Sequence, residues 1–325
     1  MDGGGRCTKE DAVVELIEEI LIEILSRLPV KSLLRFKMVC KSWYSIINSK
    51  QSIKKHLNHA NSIHSNQHDN LLGLHIPSWD ASNRCFLYNE NLDGSIHAKE
   101  VGFPFKLVEV CNYCNGLICF NVSGHGILIW NPSLPLEYKI IPMDKTKRRP
   151  DLDRFCVAIG YDSTTDDYKI VRVPKYTHNN SRFVKVFSLK SSSWSKKKIP
   201  KNFRYVIDQN MSIYTRNRLH WIGSHFVDGK VAEFIVYFDM VEERLDLVNT
   251  PGEVVSMFNY KDQRLDFIRH CCARGGKVLV HTREHGLRTI DPEDGYINIM
   301  HRPEFVGRFY ASHYVESLVS PRWFQ

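Results

Sequence analysis

The chain has 325 residues, of which 43% are hydrophobic and 25% are charged, and its formal net charge is +8 at pH 7. This length favours one large domain and one small domain, with enough apolar residues for a sizeable core. No apolar run reaches the roughly 18 residues needed to cross a bilayer, and acidic residues interrupt the N-terminal apolar stretch, which argues against a signal or transit peptide. We therefore expect a protein of the cytoplasm, the nucleus or both.

Two basic clusters could indicate an acidic partner such as nucleic acid. The first contains Lys145, Lys147, Arg148 and Arg149, and the second contains Lys196, Lys197, Lys198 and Lys201. Neither is interleaved with aromatic residues, as a platform for stacking bases would be. Solvated loops beside hairpins are the expected setting for both clusters, so nucleic acid is not an expected partner.

The N-terminal segment is predicted to be helical. Apolar residues recur there at the spacing of one helix face, at Leu16, Ile17, Ile20, Leu21, Ile24, Leu25 and Leu28. Pro29 disfavours helical geometry at the residue before it, so the first helix should end there. Two further short helices are predicted over residues 32–39 and 41–48.

These three short helices carry more apolar surface than so small a module can bury by itself. A module of this size rarely stabilises itself without a staple or a partner, and no disulfide or metal-site spacing lies within it. Surplus apolar surface on a small module predicts a docking site for another protein. A helical cap on the next domain is the alternative interpretation.

The residues of this module closely resemble the F-box of plant F-box proteins. The similar stretch is LSRLPVKSLLRFKMVCKSWYSII, residues 25–47. In that family the module binds a Skp-type adaptor, which links it to a cullin. The resemblance implies that the adaptor-binding surface, or the core that supports it, contains Leu28, Pro29, Leu33, Leu34, Val39, Cys40 and Trp43. The family usually opens its first helix with a Leu-Pro pair, where this sequence has Leu16-Ile17.

A polar linker is predicted over residues 58–70, after an F-box at residues 14–57. The segment from residue 48 to residue 70 is rich in Asn, Ser and His. Its histidines could suggest a metal site, but a polar helix end and a loop are the expected interpretation. Ile53 and Leu57 could pack back on the F-box.

Beyond residue 70 the pattern changes to short runs of β-branched and aromatic residues between turn formers. The clearest runs are at residues 117–120, 127–130, 169–173, 183–187, 234–238, 278–281 and 287–290. Long amphipathic helix patterns are absent. An all-β domain is therefore predicted over residues 71–320.

This domain repeats a unit of strand, turn residue, polar hairpin, strand and proline. The turn residues are Asn131, Ser188, Asp239 and Asp291, at intervals of 57, 51 and 52 residues, and a weaker unit begins at residues 85–89. Such a period is typical of propeller blades. We predict a β-propeller of five to six blades, in which the tail around residues 305–319 closes the ring or adds to a sixth blade. An all-β sandwich is the alternative.

The repeats also resemble the plant F-box-associated, kelch-related domain. The segments CNYCNGLICF (111–120), AIGYDSTTDDYKIVRV (158–173) and NRLHWIG (217–223) occur in that order, and YVESLVSP (314–321) is similar to the family's ending. The pollen S-locus F-box proteins of self-incompatibility share this architecture, as do many unrelated receptors.

Two motifs could suggest metal or redox chemistry. Cys111-x-x-Cys114 with Cys119 lacks a second ligand pair and a βα context, so buried thiols at an Asn115-Gly116 hairpin are expected. Residues 162–167 resemble a calcium loop, but Asp167 occupies its glycine position. A turn whose side chains bind backbone amides is the better interpretation. No metal and no cofactor are implied.

The resemblance, which covers most of the chain, implies a non-catalytic substrate-recognition subunit of a Skp–cullin–F-box ubiquitin ligase. The client, whose identity the sequence does not give, should bind loops at one mouth of the propeller. Candidate client-binding residues are Tyr176, Arg182, His225, Lys230 and Arg283. The alternatives are a propeller that binds proteins outside a ligase and a propeller enzyme with carboxylates in its channel.

Overall fold

The computed structural model describes residues 18–64, 71–77, 84–90, 96–101, 108–122, 126–142, 155–176, 183–200, 203, 205–207, 212–227, 230–248, 273–274, 277–282, 286–290, 297–301 and 307–322. Several residues named above lie outside this part of the chain. They are Leu16, Ile17, the basic cluster at residues 145–149, Lys201, Asp291 and the client candidates Arg182 and Arg283.

Four helices open the described chain. Helix α1 is described over residues 18–25 and is followed by α2 (Val30–Phe36), α3 (Lys41–Asn48) and α4 (Lys50–His64). Pro29 stands at the N-cap of α2 with φ −58°, so the predicted break after the first helix is confirmed. The third helix has its predicted bounds. A fourth helix was not predicted, and it extends into the segment for which a linker was expected.

The buried face of α1 differs from the predicted one. Ile22 and Leu25 are buried, whereas Ile20 and Ile24 are exposed, so the prediction that Ile20 and Ile24 share the buried face was wrong. Apolar residues at five of the six positions from 20 to 25 leave more than one face able to pack, and the neighbouring helix decides between them. Glu23 lies on that side, 2.6 Å from Lys55 of α4.

The described strands form five antiparallel sheets. Sheet A contains β1 (Leu71–Pro77), β2 (Arg84–Glu90), β3 (Ile96–Val101) and β21 (Gly307–His313). Sheet B contains β4 (Val108–Cys114), β5 (Leu117–Val122), β6 (Gly126–Trp130) and β7 (Tyr138–Ile141). Sheet C contains β8 (Phe155–Asp162), β9 (Asp167–Pro174), β10 (Phe183–Ser188) and β11 (Ser193–Lys198).

The last two sheets follow the same plan. Sheet D contains β12 (Val206–Ile207), β13 (Ile213–Thr215), β14 (Arg218–Val227), β15 (Lys230–Asp239) and β16 (Arg244–Val248). Sheet E contains β17 (Ala273–Arg274), β18 (Lys277–Thr282), β19 (Gly286–Ile290) and β20 (Ile297–His301). Every run predicted as a strand lies within one of these strands, as expected for short β-branched segments bounded by turns.

The C-terminal strand joins the first sheet. Strand β21 pairs with β1 in antiparallel register, from Leu71 opposite His313 to Pro77 opposite Gly307. The tail therefore takes one of the two roles predicted for it, because it joins the last part of the domain to the first. Such a pairing also covers an edge of sheet A that would otherwise be free to bind another strand.

The core lies between neighbouring sheets. Trp130, Phe120, Trp221 and Phe238 are almost completely buried, as are most β-branched residues of β8, β9 and β10. Polar bonds cross between sheets as well: the Asn112 amide donates to the Ile159 carbonyl at 2.7 Å and accepts from the Ile159 amide at 2.8 Å. This pairing of a side-chain amide with a backbone fixes sheet B against sheet C.

The helices pack on the sheets through one apolar cluster. Ile53 and Leu57 of α4 are buried in the cluster that also contains Leu134 of sheet B and Leu318 and Val319 of the C-terminal segment. An ion pair of 2.8 Å joins Lys54 of α4 to Asp166 in sheet C. Among the described residues, no helix is long and apolar enough to cross a membrane.

Candidate functional site

The turn between α2 and α3 presents apolar side chains to solvent. Met38 is 86% exposed and Val39 is 63% exposed, and Tyr44, one turn into α3, is exposed as well. The turn is tight, because the Met38 amide donates to the Arg35 carbonyl at 3.0 Å and the Val39 amide donates to the Phe36 carbonyl at 3.1 Å. Local hydrogen bonds therefore hold these side chains away from the core.

Cys40 begins helix α3 and fixes the end of this turn. Its sulfur accepts a hydrogen bond from the Trp43 amide at 3.5 Å, which satisfies one of the free amides at the helix start. Trp43 then packs edge-on against Phe36, with ring centroids 5.3 Å apart. The turn is thus held between two packed helices.

The residues predicted to form or support the adaptor-binding surface differ in burial. Leu33 is buried and belongs to the core of the module. Leu28, Leu34 and Trp43 are partly buried and pack against that core, whereas the exposed members are Pro29, Val39 and Cys40. The sequence analysis missed the exposed residues Met38, Tyr44, Ile20 and Ile24. The sequence analysis placed Met38 in a helix over residues 32–39, but α2 ends at Phe36 and Met38 lies in the turn after it.

A buried histidine supports the loop that carries Leu28 and Pro29. The His56 Nε2 atom lies 3.0 Å from the Leu28 carbonyl oxygen, and it must carry the proton because a carbonyl only accepts. Burial lowers the pKa of His56 below its ordinary value, an effect larger than the opposing one of the Leu28 carbonyl. His56 is therefore a neutral donor that ties α4 to the loop before α2.

The helices lie at one end of the sheets. The turn of sheet C between β8 and β9 carries Asp166, the partner of Lys54. The adjacent turn of sheet D contacts it, since the Asn217 amide donates to the Ser163 hydroxyl at 2.8 Å. Tyr214 donates to the Tyr161 carbonyl at 2.8 Å close by. The β8–β9 turn of sheet C and the β13–β14 turn of sheet D therefore meet on the side of the helices.

Tyr176 and His225 lie at the opposite ends of the same strands. Tyr176 follows β9, is 49% exposed and bridges to Val206, and Val206 pairs with Ser224, the residue before His225. The structure thus brings two of the predicted client-binding residues together. His225 and Lys230 were expected in a loop, but they lie on β14 and β15, where the ladder continues as far as the pair Val227–Lys230. Aromatic and β-branched residues at 226, 227 and 231 favour this longer hairpin.

The thiol motif and the acidic turn have structural roles. Cys111, Cys114 and Cys119 are buried around a turn in which Asn115 has φ 52° and Gly116 has φ 80°, as predicted for a two-residue hairpin. Burial raises the pKa of the Cys114 thiol well above its ordinary value, so it stays protonated. Among the described residues, no group of His, Cys, Asp and Glu side chains could hold a metal ion.

Asp162 binds the amides of its own turn and a lysine. Its carboxylate accepts from the Thr164 amide at 2.9 Å and from Lys169 at 2.7 Å. Burial alone would raise the pKa of Asp162, but the bonds from Lys169, Thr164 and Thr165 outweigh it and hold the pKa below its ordinary range. Lys169 also contacts Glu243 of sheet D at 2.7 Å. The turn therefore binds its own amide, as predicted, and it also joins sheet C to sheet D, which was not predicted.

The second basic cluster is not in a loop. Lys196, Lys197 and Lys198 lie on β11, the outer strand of sheet C, and Lys197 pairs with Glu243 of sheet D. The expectation of a solvated loop was wrong for these residues, because the strand pairs with β10 along its whole length.

A small helical module with an exposed apolar turn, seated on the turns of successive antiparallel sheets, defines an F-box joined to a propeller-like domain. The F-box domain model matches residues 15–55, and the model of the F-box associated beta propeller domain matches residues 79–285. The second match covers more than half of the chain. The chain therefore belongs to the F-box proteins that carry an F-box-associated beta propeller domain.

Similar proteins in Arabidopsis thaliana are named as F-box proteins. F-box/kelch-repeat protein At3g23880 is 27% identical over 79% of this chain and 66% of its own length. Putative F-box protein At3g17480 is 28% identical over 78% of this chain and 70% of its own length. F-box protein CPR1 is 26% identical over 73% of this chain and 60% of its own length. The chain thus spans about two thirds of the length of these curated relatives.

Solved structures overlap with the chain only weakly. The overlap with an α-L-arabinofuranosidase from Clostridium thermocellum covers 74% of this chain and 94% of that protein, at 12% identity and a TM-score of 0.34. A likeness of this size carries no argument.

Proposed function

We propose that this chain is the substrate-recognition subunit of a Skp–cullin–F-box ubiquitin ligase. The observation that carries the proposal is the ordered apolar turn of Met38 and Val39, exposed on a module of the F-box family. Exposed apolar groups grouped on a small module favour a protein partner, and in this family that partner is a Skp-type adaptor bound to a cullin. The subunit itself catalyses no bond change.

Its role is to raise the concentration of client lysines near the ubiquitin-conjugating enzyme. The client is expected on the sheet ends that carry Tyr176 and His225, away from the helices. That arrangement supports the proposal, because a receptor must hold the adaptor and the client at the same time without one covering the other.

Adaptor binding can be tested with exposed residues alone. We expect the double substitution Met38→Glu and Val39→Glu to abolish co-purification of the full-length chain with a co-expressed Skp-type adaptor. Both side chains lie in solvent, so the charges should weaken binding without unfolding the module, whereas Trp43→Ala would also remove its packing on Phe36. Ile213→Glu is the matched control: Ile213 is 57% exposed, but on sheet D.

The control variant should retain the adaptor, and circular dichroism should show equal helix content in all three proteins. If the wild-type chain does not co-purify with the adaptor, the ligase role is wrong and a protein-binding propeller outside a ligase becomes the better interpretation. If the double variant binds as tightly as wild type, the turn of Met38 and Val39 is not the docking surface.

A further inference from the structure

A groove of about 530 Å³ lies between sheets B and C. One wall is the end of β7 with the residue that follows it, and the other is the face of β9, β10 and β11 that points toward sheet B. Its lining residues are Ile141, Pro142, Arg172, Lys185, Phe187, Ser192, Trp194, Ser195 and Lys196. No aspartate or glutamate occurs among these lining residues, all of which belong to the described part of the chain.

Three cations of the groove form a row across three strands. Arg172 of β9 is directly opposite Lys185 of β10, and Lys185 is directly opposite Lys196 of β11. Like charges in directly opposed positions are not an arrangement that strand pairing itself favours. Arg172 is only 5% exposed, and its guanidinium lies over the Phe155 ring at 4.7 Å from the centroid. Packing therefore holds Arg172 in place, whereas Lys185 is partly buried and Lys196 is exposed.

An aromatic pair adjoins the row on the same face. Phe187 and Trp194 are opposite each other, two residues along from Lys185 and Lys196, with ring centroids 5.1 Å apart. Phe187 is buried and Trp194 is partly exposed, so the tryptophan ring presents one accessible apolar surface. Ile141 and Pro142 face it across the groove.

Protection of a sheet edge does not explain the row. Lysines on an outer strand commonly prevent pairing with other chains, and that account suffices for Lys196 on β11. It does not suffice for Arg172 and Lys185, because β9 and β10 are interior strands of sheet C. The lining places three cations and no carboxylate along one groove, which is the charge pattern that complements an acidic ligand.

We propose that this groove binds an extended acidic segment of the client protein. Carboxylates of the segment bind Lys185, Lys196 and Arg172, and an apolar side chain inserts between Trp194 and the wall formed by Ile141 and Pro142. The assignment of this segment to a client rests on the proposed function, whereas the binding of an acidic peptide does not depend on it. Nucleic acid fits less well, because Phe187 is covered and a single exposed ring offers no platform for successive bases.

The test uses the full-length chain in complex with its adaptor. The probe is a fluorescein-labelled peptide of glutamates flanking one phenylalanine, and binding is followed by fluorescence anisotropy. We expect Lys185→Gln with Lys196→Gln to weaken binding about tenfold or more, the size produced by losing one charge-assisted hydrogen bond. The same peptide with glutamines should bind far more weakly, and added salt should weaken binding of the acidic peptide.

A matched control removes two positive charges elsewhere. Lys99→Gln with Arg216→Gln changes exposed residues of sheet A and of the turn before β14, and it should leave peptide binding within about twofold of wild type. Arg172→Lys, which keeps the charge but loses the planar guanidinium, should weaken binding without abolishing it.

Three results would overturn the proposal. They are absence of peptide binding to wild type, equal loss in the groove variant and the control variant, and displacement of the peptide by an oligothymidylate that binds more tightly. The adaptor retained in each preparation is measured in parallel. If the chain keeps the adaptor but does not bind the peptide, only the groove proposal is wrong. If the chain binds the peptide but not the adaptor, only the ligase role is wrong.

Discussion

His56 joins two parts of the helical module through a single buried donor. Its ring reaches from α4 to the Leu28 carbonyl, and its second nitrogen, Nδ1, has no hydrogen-bond partner among the described residues. Protonation would place a charge on this buried nitrogen, beside the neighbouring His59, which also disfavours it. The folded state therefore binds a proton at His56 less readily than the unfolded chain does.

We expect the module to lose stability as the pH falls below about 6.5, the ordinary histidine pKa. Because the folded pKa lies below the unfolded one, His56 favours the folded state above that pH, and the advantage is lost as the pH falls toward the folded pKa. His56→Gln keeps a donor for Leu28 but cannot titrate, so its unfolding midpoint should depend less on pH.

Thermal unfolding of both proteins between about pH 8 and about pH 5 measures this difference. Burial also lowers the pKa of His220 in sheet D. Since His220 is present in both proteins, the difference between the two curves isolates His56. Parallel curves would show that His56 does not control the acid sensitivity.

At the scale of elements, the hairpin of β4 and β5 depends on a distant segment. Its Asn-Gly turn is a local signal that the sequence displays. The structure adds that a Cβ atom on Gly116 would lie 2.2 Å from the Ser317 hydroxyl and 2.8 Å from the Val315 carbonyl oxygen. Glycine is required here by its positive φ and also by the close approach of the C-terminal segment.

Gly116→Ala should reduce the free energy of unfolding by about 2 kcal/mol, because a non-glycine residue at positive φ and a steric overlap are combined. The second substitution Ser317→Ala should recover only part of the loss, since the Val315 carbonyl and the backbone strain remain. Urea unfolding of the single and double variants measures both values. If Gly116→Ala is as stable as wild type, the C-terminal segment does not approach the Asn115-Gly116 turn closely enough to require glycine.

Local chemistry made much of the fold predictable. The third helix has its predicted bounds, and the turn residues Asn131, Ser188 and Asp239 bind amides two or three residues further on, as their spacing indicated. The exposed face of α1 could not be predicted, because five of the six positions from 20 to 25 are apolar and packing against the neighbouring helix decides which of them are buried. The row of cations could not be predicted either, since only the pairing register brings it together.

At the scale of the whole molecule, residues 314–321 connect parts that are far apart in sequence. The Asn131 amide donates to the Ser317 carbonyl at 2.9 Å and to the Val319 carbonyl at 2.8 Å. Leu318 and Val319 belong to the apolar cluster shared with the helices. The segment leaves β21 of sheet A, crosses sheet B and packs beneath the helical module. We infer that it makes the helices and the sheets unfold together.

Asn131→Ala tests this coupling. The substitution leaves two buried carbonyls without their donor, so the free energy of unfolding should fall by about 3 kcal/mol. Ser191→Ala is the control: it removes an exposed bond to the Ser193 hydroxyl within sheet C and should cost less than about 1 kcal/mol. Hydrogen–deuterium exchange should show faster exchange in β6 and in α4 of the Asn131 variant, although α4 does not contact Asn131 through any of these bonds. Faster exchange in β6 with α4 unchanged would mean that the helical module and the sheets are independent units, and that the C-terminal segment stabilises sheet B alone.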